Sequence, residues 1–358
     1  MLPGPLLSLP ALLGLAAGAS IPSNDGFPNP NAQQKLAIAQ QAGGLLPNGP
    51  PPPSLGASSI TAFQLIASNE LFETAYFSSL LQNITAGAPG YQAQNKDELT
   101  KIFATVLAQE EQHALAAVAT LQSVKAFAPS ACQYQFPVSN LQDAVNLAET
   151  FTAIVLGALQ GANVIFAQDG NAGPIQTVSS VIGQEGEQNG YYRVFLNKVP
   201  SESPFLTTVP APFAWSALQM FIVPGSCPFP LSNINLPIFP PLMTNGGPVA
   251  AIEPQDQTLS FAADLSGSPA AQPFVNGNGS NLFLTYTTGQ QLPISVPITN
   301  VKWSGSHISF QAQFPYSENV MQGFSHAALT TSNKFESANA VVNSALAGPA
   351  VIQVNNPL

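Results

Sequence analysis

Charged residues are scarce in this sequence. Only 7% of its 358 residues are Asp, Glu, Lys or Arg, whereas about 25% is usual in globular proteins. Eight residues are Lys or Arg, and the net charge is −10. So few basic side chains could not neutralise a phosphate backbone, which argues against a nucleic-acid partner. The negative balance reflects few bases rather than many acids, so it indicates no basic partner.

Histidine and cysteine are also rare, with three and two residues respectively. A zinc site built on several histidines is therefore not expected. His307 and His326 lie in the C-terminal half, where we expect surface or satisfied core positions. The sequence has no Gly-x-Ser-x-Gly elbow, no Gly-rich phosphate loop before a helix and no Cys-x-x-Cys. These absences argue against a serine hydrolase, a nucleotide-binding enzyme and a thiol oxidoreductase.

The first 19 residues are apolar and end in Ala17-Gly18-Ala19, small residues typical of a signal peptidase site. A basic segment before the apolar run is missing. A membrane anchor would need about 20 apolar residues, and three prolines interrupt this run. We therefore predict a cleaved signal peptide over residues 1–19 and a secreted protein. We expect no later stretch to be apolar enough to span a membrane.

Cys132 and Cys227 fit that compartment as one disulfide, and two reduced core thiols remain the alternative. Asn83-Ile84-Thr85 and Asn278-Gly279-Ser280 are glycosylation sequons, with Asn83 and Asn278 as the acceptors. Both features agree with secretion, although sequons also arise by chance. The sequence therefore predicts a disulfide-bonded glycoprotein.

Composition divides the remaining chain into four parts. Residues 20–56 are rich in Pro, Asn and Gly and predict a flexible arm with one short helix. Residues 57–200 contain four long amphipathic segments, which predict a four-helix bundle. A Pro-rich connector follows over 201–250, and alternating strands separated by turns over 251–358 predict a β-rich, sandwich-like region. The expected fold class is thus mainly α plus β.

The second long helix carries Glu110 and His113 on the stripe that would otherwise be core. Residues three apart share a helix face. Burying a carboxylate or an imidazole alone costs several kcal/mol, and a metal ion would satisfy both groups together. Glu-x-x-His on a bundle helix is the arrangement found in di-iron carboxylate proteins.

Each of the other three predicted helices also carries an acidic residue on its inward stripe. A solvated helix edge is the alternative position for Glu70, but the aromatic residues around it favour burial. The resulting ligand set is Glu70, Glu110, His113, Glu149 and Glu185.

Residues 58–200 resemble the ferritin-like superfamily. In particular they are similar to secreted fungal ferritin-like proteins grouped with stress-response and late sexual development proteins, and more distantly to plant desiccation-related proteins. The subgroup resemblance extends over most of the chain. The motifs that carry it are Asn69-Glu70-Leu71 with Phe77, Gln109-Glu110-Glu111-Gln112-His113, Leu147-Ala148-Glu149, Gly186 to Arg193, Cys132-Gln133-Tyr134 and Pro224 to Pro228.

The resemblance implies a dinuclear iron or manganese centre, but the fourth helix departs from the pattern. It has Gln188 where a second histidine would complete a Glu-x-x-His motif with Glu185. A glutamine is a weaker ligand, so a dinuclear centre, a mononuclear centre and a degenerate bundle without metal all remain open.

Two functions follow from these features. The first is a secreted metal-binding protein that handles oxidants during stress or development. The second is a non-catalytic extracellular or cell-wall protein that keeps the bundle as a scaffold. We expect neither a nucleic-acid partner nor a membrane span, and the sequence does not predict an oligomeric state.

Overall fold

The computed structural model describes residues 24–354 and 357–358. The signal peptide predicted over residues 1–19 lies outside these described residues. A helical half is followed by a β half, which confirms the predicted fold class. The main helices are α1 (Ala32–Ala42), α2 (Ala57–Ala86), α3 (Lys96–Ser123), α4 (Leu141–Gln168), α5 (Gly173–Phe195) and α6 (Ala211–Gln219).

Helices α2 to α5 pack together as two hairpins, α2 with α3 and α4 with α5, and α2 also contacts α4. A longer segment, residues 124–140, joins the two hairpins. Aromatic side chains fill much of the core: the ring centroids of Phe72 and Phe151 are 5.2 Å apart, and those of Tyr76 and Phe151 are 4.9 Å apart. Asn140 caps α4 by accepting a hydrogen bond from the Asp143 backbone N–H. The predicted bundle is therefore confirmed.

Helix α4 corrects one expectation from the sequence. It is long and apolar enough to cross a membrane by length and composition, although no such stretch was predicted after residue 19. Its most apolar window is 61% buried inside the protein. A core helix of a bundle is apolar on most of its surface, because neighbouring helices cover it. Its hydropathy is thus accounted for by packing.

The segment expected to be a flexible arm is partly helical and packed. Helix α1 begins with a capping box, in which Asn31 and Gln34 bond each other's backbone N–H groups. The helix packs against α3, and Phe27 is buried with Leu71 and Ala114. A few apolar residues within the polar segment are sufficient to dock it, which composition alone did not reveal.

Helix α5 contains four glycines, and the three in its interior, Gly183, Gly186 and Gly190, each cost about 1 kcal/mol relative to alanine. Close packing against the helix or a bound ligand would account for glycines at these positions. The structure excludes close packing for Gly183 and Gly186, since a Cβ atom added at either position would meet no atom within 4 Å.

We therefore expect Gly186→Ala to raise the free energy of unfolding by about 0.5–1 kcal/mol, because it reduces the backbone entropy of the unfolded chain. Urea denaturation of the metal-free protein measures this. Gly157→Ala is the contrasting variant: its Cβ would lie 2.2 Å from the Thr207 carbonyl oxygen, so it should destabilise the protein. A destabilised Gly186→Ala variant would contradict the prediction.

The β half contains two sheets that enclose one apolar core. Strands in the order β1-β3-β7-β6 form one sheet, and strands in the order β2-β9-β8-β4-β5 form the other. Their bounds are β1 (Met243–Thr244), β2 (Val249–Ile252), β3 (Gln257–Asp264), β4 (Phe283–Thr288), β5 (Ile294–Pro297), β6 (Thr299–Ser304), β7 (His307–Phe314), β8 (Gly323–Thr330) and β9 (Ala345–Val354). The second sheet faces the helices, because Phe324, Ala328 and Val351 belong to the core that the bundle shares.

Cys132 and Cys227 form a disulfide between the α3–α4 connection and the segment after α6. Backbone hydrogen bonds run alongside it, from Gln135 to Phe221 and from Val223 to Gln133. The predicted disulfide is confirmed. It joins the bundle to the segment that leads into the β half.

Candidate metal centre

Four side chains from three helices converge inside the bundle: Glu70 from α2, Glu110 and His113 from α3, and Glu185 from α5. One ligand atom from each lies within 4.8 Å of the others. The Nδ1 atom of His113 is 2.9 Å from Glu110 Oε2, 3.6 Å from Glu70 Oε2 and 3.7 Å from Glu185 Oε1. One nitrogen and three carboxylate oxygens thus surround a common point, an arrangement suited to a single cation.

These carboxylates are buried and incompletely hydrogen-bonded. The side chains of Glu110 and Glu185 are 0% exposed and that of Glu70 is 1% exposed. In the described part of the chain, Oε2 of Glu70 and both oxygens of Glu185 are buried and have no hydrogen-bond partner. Buried polar atoms are nearly always satisfied, and exceptions call for a bound water or ion. The residues present therefore fit a metal ion.

Burial raises the pKa of Glu70 from its ordinary 4.5 to about 7, although the neighbouring His113 partly offsets this. Burial also raises the pKa of Glu185 well above its ordinary range, and the charges of Glu70 and Glu110 add to the effect. Burial alone would lower the pKa of His113, but the carboxylates of Glu110 and Glu70 raise it well above its ordinary value. The metal-free cluster therefore retains protons at neutral pH, and a metal would displace them.

We expect the metal-free protein to lose stability as pH rises from about 5 to 8. A carboxyl with a raised folded-state pKa stabilises the fold fully below its unfolded pKa of 4.5, and this contribution is lost as pH rises through the folded pKa. For Glu70 alone, a rise to about 7 corresponds to about 3 kcal/mol. Glu185 contributes in the same direction, since burial raises its pKa well above its ordinary range.

Urea denaturation across this pH range, with chelator and with saturating Mn(II), measures the effect. Bound Mn(II) should reduce this loss of stability, because the ion replaces the protons on the buried carboxylates. An apo stability that increases from pH 5 to pH 8 would contradict the prediction.

A network of amide side chains holds the second oxygen of Glu110. The Nε2 atom of Gln188 donates to Glu110 Oε1 at 2.7 Å and lies 3.1 Å from Gln109 Oε1. The hydroxyl of buried Tyr192 is 3.4 Å from Gln188 Oε1, and the Tyr192 ring stacks near Phe103. Gln188 thus contacts the cluster through its amide N–H, while its amide oxygen faces Tyr192.

Glu149 is not brought into the cluster, contrary to the expectation from the sequence. One of its oxygens is 2.6 Å from Arg193 Nη1 and the other is 3.0 Å from Lys198 Nζ. Lys198 also donates to Asn146 at 3.1 Å. Both oxygens of this buried carboxylate are bound by cations, so its charge is compensated without a metal. The helical stripe correctly indicated burial but could not identify the partner.

Glu73 is a second buried carboxylate on α2, outside the four residues of the cluster. It lies one turn beyond Glu70 on α2 and is 0% exposed. Its Oε1 accepts a hydrogen bond from Asn69 at 2.8 Å, and its Oε2 is buried with no hydrogen-bond partner in the described structure. The helical stripe of α2 contains both Glu70 and Glu73 and predicts the burial of each, which the structure confirms.

The remaining predicted sites lie away from the cluster. Asn278 is exposed, and its Oδ1 accepts a hydrogen bond from the Ser280 N–H at 3.0 Å. Asn83 is half-buried in the last turn of α2 and lines a cavity with Tyr91. Glycosylation of both asparagines stays a prediction, and Asn278 is the more accessible acceptor.

The two other histidines have the environments expected for surface and core residues. His307 is exposed beside Asp264. His326 is buried, and its Nε2 is 2.9 Å from the Thr208 carbonyl oxygen. Neither belongs to the metal-ligating group found among the described residues.

Residues 59–198 match the family model of the ferritin-like domain. No curated protein matches the chain. The matched region covers α2 from residue 59 onward, α3, α4, α5 and all four residues of the cluster. Residues 59–198 are therefore a ferritin-like domain with a buried Glu, Glu, His and Glu cluster that could hold a metal ion, and two β-sheets follow it.

Proposed function

We propose that the ferritin-like domain holds iron or manganese in the cluster of Glu70, Glu110, His113 and Glu185, and that the protein handles small oxidants with it. One observation supports this proposal most directly. Buried oxygens of Glu70 and Glu185 that have no hydrogen-bond partner in the described structure lie around the His113 nitrogen. Three carboxylates and one imidazole form a mixed donor set suited to these metals. A bound iron or manganese ion would supply one-electron chemistry with dioxygen or peroxide.

The surrounding residues orient the cluster and exclude water. Gln188 fixes the second oxygen of Glu110 by its 2.7 Å hydrogen bond. The Tyr192 hydroxyl faces Gln188, and the rings of Phe77 and Phe103 stack on the Tyr192 ring. The centroid separations are 6.0 Å for Phe77–Tyr192 and 6.3 Å for Phe103–Tyr192. This apolar wall lowers the local polarity and makes charge compensation by a cation more favourable.

A narrow apolar cavity between α2 and α4 reaches Glu70. Its lining includes Ala62, Leu65, Ala158 and Asn69, and its volume is about 20 Å³. A cavity of about 10–15 Å³ is large enough to hold one water molecule. The cavity therefore admits a molecule of about that size, which supports dioxygen or hydrogen peroxide as the substrate class.

We expect Ala158→Phe to slow Fe(II) oxidation by about tenfold, equivalent to about 1.4 kcal/mol, while metal content stays unchanged. The larger side chain would fill the cavity beside Glu70 without touching a ligand. Stopped-flow absorbance after mixing the Fe(II)-loaded protein with oxygenated buffer measures the rate. Ala119→Phe, at an exposed position on α3, is the control. Equal slowing of both variants would contradict this route.

The proposal also places the protein outside the cell, in a stress-related or developmental role. The Cys132–Cys227 disulfide supports the location, because disulfides form in oxidising compartments. Association with the cell wall remains part of this proposal.

The test is the metal content of protein purified gently from its native host, measured by elemental mass spectrometry. Iron or manganese at one or two ions per chain supports the proposal. Absence of both metals, with no uptake after anaerobic addition of Fe(II) or Mn(II), would overturn it. The non-catalytic extracellular scaffold would then be the function to pursue.

A further inference from the structure

A second cavity lies between the last turns of α2 and the connection from α3 to α4. The residues that line it include Tyr76, Ser79, Asn83, Tyr91, Gln135 and Phe136, and none of the four residues of the metal cluster is among them. Its volume is about 170 Å³, and an engineered cavity of about 150 Å³ holds a benzene ring. The cavity is therefore large enough for a six-membered ring, and the proposed metal chemistry does not use it.

One face of α2 forms a wall of this cavity. Tyr76, Ser79 and Asn83 follow helical spacing, so their side chains lie on the same side of the helix. The Tyr76 ring centroid is 4.9 Å from that of Phe136, and the Tyr76 hydroxyl donates to the Ala144 carbonyl oxygen at 2.6 Å. The Tyr76 wall is thus held by its own contacts, and the space beside it remains open.

Asn83 lies where this cavity meets the surface. It is half-buried and begins the sequon Asn83-Ile84-Thr85, in which Thr85 is exposed. Its backbone carbonyl oxygen accepts a hydrogen bond from the Ala88 N–H at 3.0 Å, in the turn that ends α2. Its side chain is hydrogen-bonded to the Tyr91 hydroxyl. The attachment atom of an N-linked glycan is therefore fixed at the edge of a cavity of sugar size.

The chemistry of the lining suits a neutral sugar. Tyr91, Tyr134 and Phe136 supply aromatic rings, and Ser79 and Gln135 supply hydroxyl and amide groups. None of the residues found to line it in the described chain is charged. N-acetylglucosamine, the first sugar of N-linked glycans, is uncharged and combines a ring face of C–H groups with hydroxyl and acetamide groups. Aromatic walls with a few polar groups are typical of sites for such ligands.

We propose that Asn83 carries an N-linked glycan whose first N-acetylglucosamine occupies this cavity, against the rings of Tyr91 and Phe136. This inference rests on the extracellular location in the proposed function, because the modification takes place in the secretory pathway. Asn83 Nδ2 forms a bond to C1 of the sugar and loses one proton, while the bond from C1 to the diphosphate of a lipid-linked donor breaks. Nδ2 keeps one hydrogen for the Tyr91 hydroxyl.

The half-burial of Asn83 does not prevent this modification, because sequons are modified on the entering chain before it folds. Folding then encloses the sugar between α2 and residues 135–138. Asn278 provides the contrast: it is exposed, its Oδ1 accepts a hydrogen bond from the Ser280 N–H, and it does not line this cavity. A glycan on Asn278 therefore projects into solvent.

The test is the rate at which peptide N-glycosidase releases the glycan from Asn83 of the full-length protein secreted by its native host. The enzyme hydrolyses the bond between the asparagine and the first sugar and leaves aspartate, which peptide mass spectrometry detects. Release from Asn83 should be at least about tenfold slower in the folded than in the reduced and denatured protein, because the enclosed bond is reached only after local opening. Release from Asn278 should be fast in both states.

Variants of two neighbouring serines distinguish the cavity from general shielding by the helix. Ser79→Phe fills the cavity and should expel the sugar, so that release from folded Asn83 comes within about threefold of the denatured rate. Ser78→Phe is the matched control on α2, since Ser78 does not line the cavity, and it should keep the slow release. Circular dichroism establishes folding, and Gln135→Trp at the exposed rim replaces Ser79→Phe if that variant does not fold.

Each contrary outcome has a separate meaning. Secreted protein without a glycan on Asn83, or with fast release from folded Asn83, would overturn the inference. Slow release that persists in folded Ser79→Phe or Gln135→Trp would also overturn it, because the helix rather than the cavity would then shield the bond. An unmodified Asn83 and Asn278 in protein found only inside the cell would overturn the extracellular location as well, and none of these results bears on the metal content.

Discussion

Glu110→Gln is expected to abolish the stabilisation that Fe(II) or Mn(II) gives the protein. Glu110 provides the oxygen closest to the His113 nitrogen, at 2.9 Å. A glutamine cannot supply that negative charge, so we expect at least about a 100-fold loss of metal affinity, the upper end of what outer ligand partners contribute. At a metal concentration of about 100 times the dissociation constant, wild type gains about 2.7 kcal/mol and the variant should gain little.

Thermal denaturation with chelator and with metal measures this difference. In chelator, Glu110→Gln should cost some stability, because it removes the carboxylate closest to buried His113, although the amide retains an oxygen acceptor. The exposed Glu187→Gln on α5 is the matched control and should respond to metal like wild type. A metal-dependent stabilisation that survives in Glu110→Gln would show that the ion binds elsewhere.

Glu149→Ala should destabilise the protein by about 3–5 kcal/mol without changing its metal content. The substitution leaves the buried guanidinium of Arg193 and ammonium of Lys198 without their carboxylate, and removing one partner of a buried ion pair costs this much. The loss should be the same with chelator and with metal. Urea denaturation and elemental analysis of the folded variant measure the two quantities.

Glu149→Gln is the conservative control, since it retains an oxygen acceptor and should cost less than Glu149→Ala. Glu187→Ala, at an exposed position, should change stability by less than about 0.5 kcal/mol. The opposite pattern, loss of metal with little change in chelator, would return Glu149 to the ligand set.

Much of the helical half could be predicted from the sequence. The stripes that contained Glu70, Glu110 and Glu185 did lie inside the bundle, because helical periodicity determines which side chains share a face. The Glu110 and His113 pair could be predicted for the same reason, since three residues of separation place both on one face. The docking of the α1 segment could not be predicted in this way. It depends on a few apolar residues, and the average composition of the segment does not show them.

The sequence by itself determined which helix faces carry carboxylates, that the bundle is followed by strands, and which two cysteines were available to pair. Only the tertiary structure decided which groups neutralise which charge. Periodicity places Glu149 and Glu185 equally inside the bundle, but the ion pairs of Arg193 and Lys198 are with Glu149. Contacts between distant segments set the partner of a buried charge, and a local pattern does not encode such distances. For this reason Glu149 is held by cations, whereas both oxygens of Glu185 have no hydrogen-bond partner in the described structure.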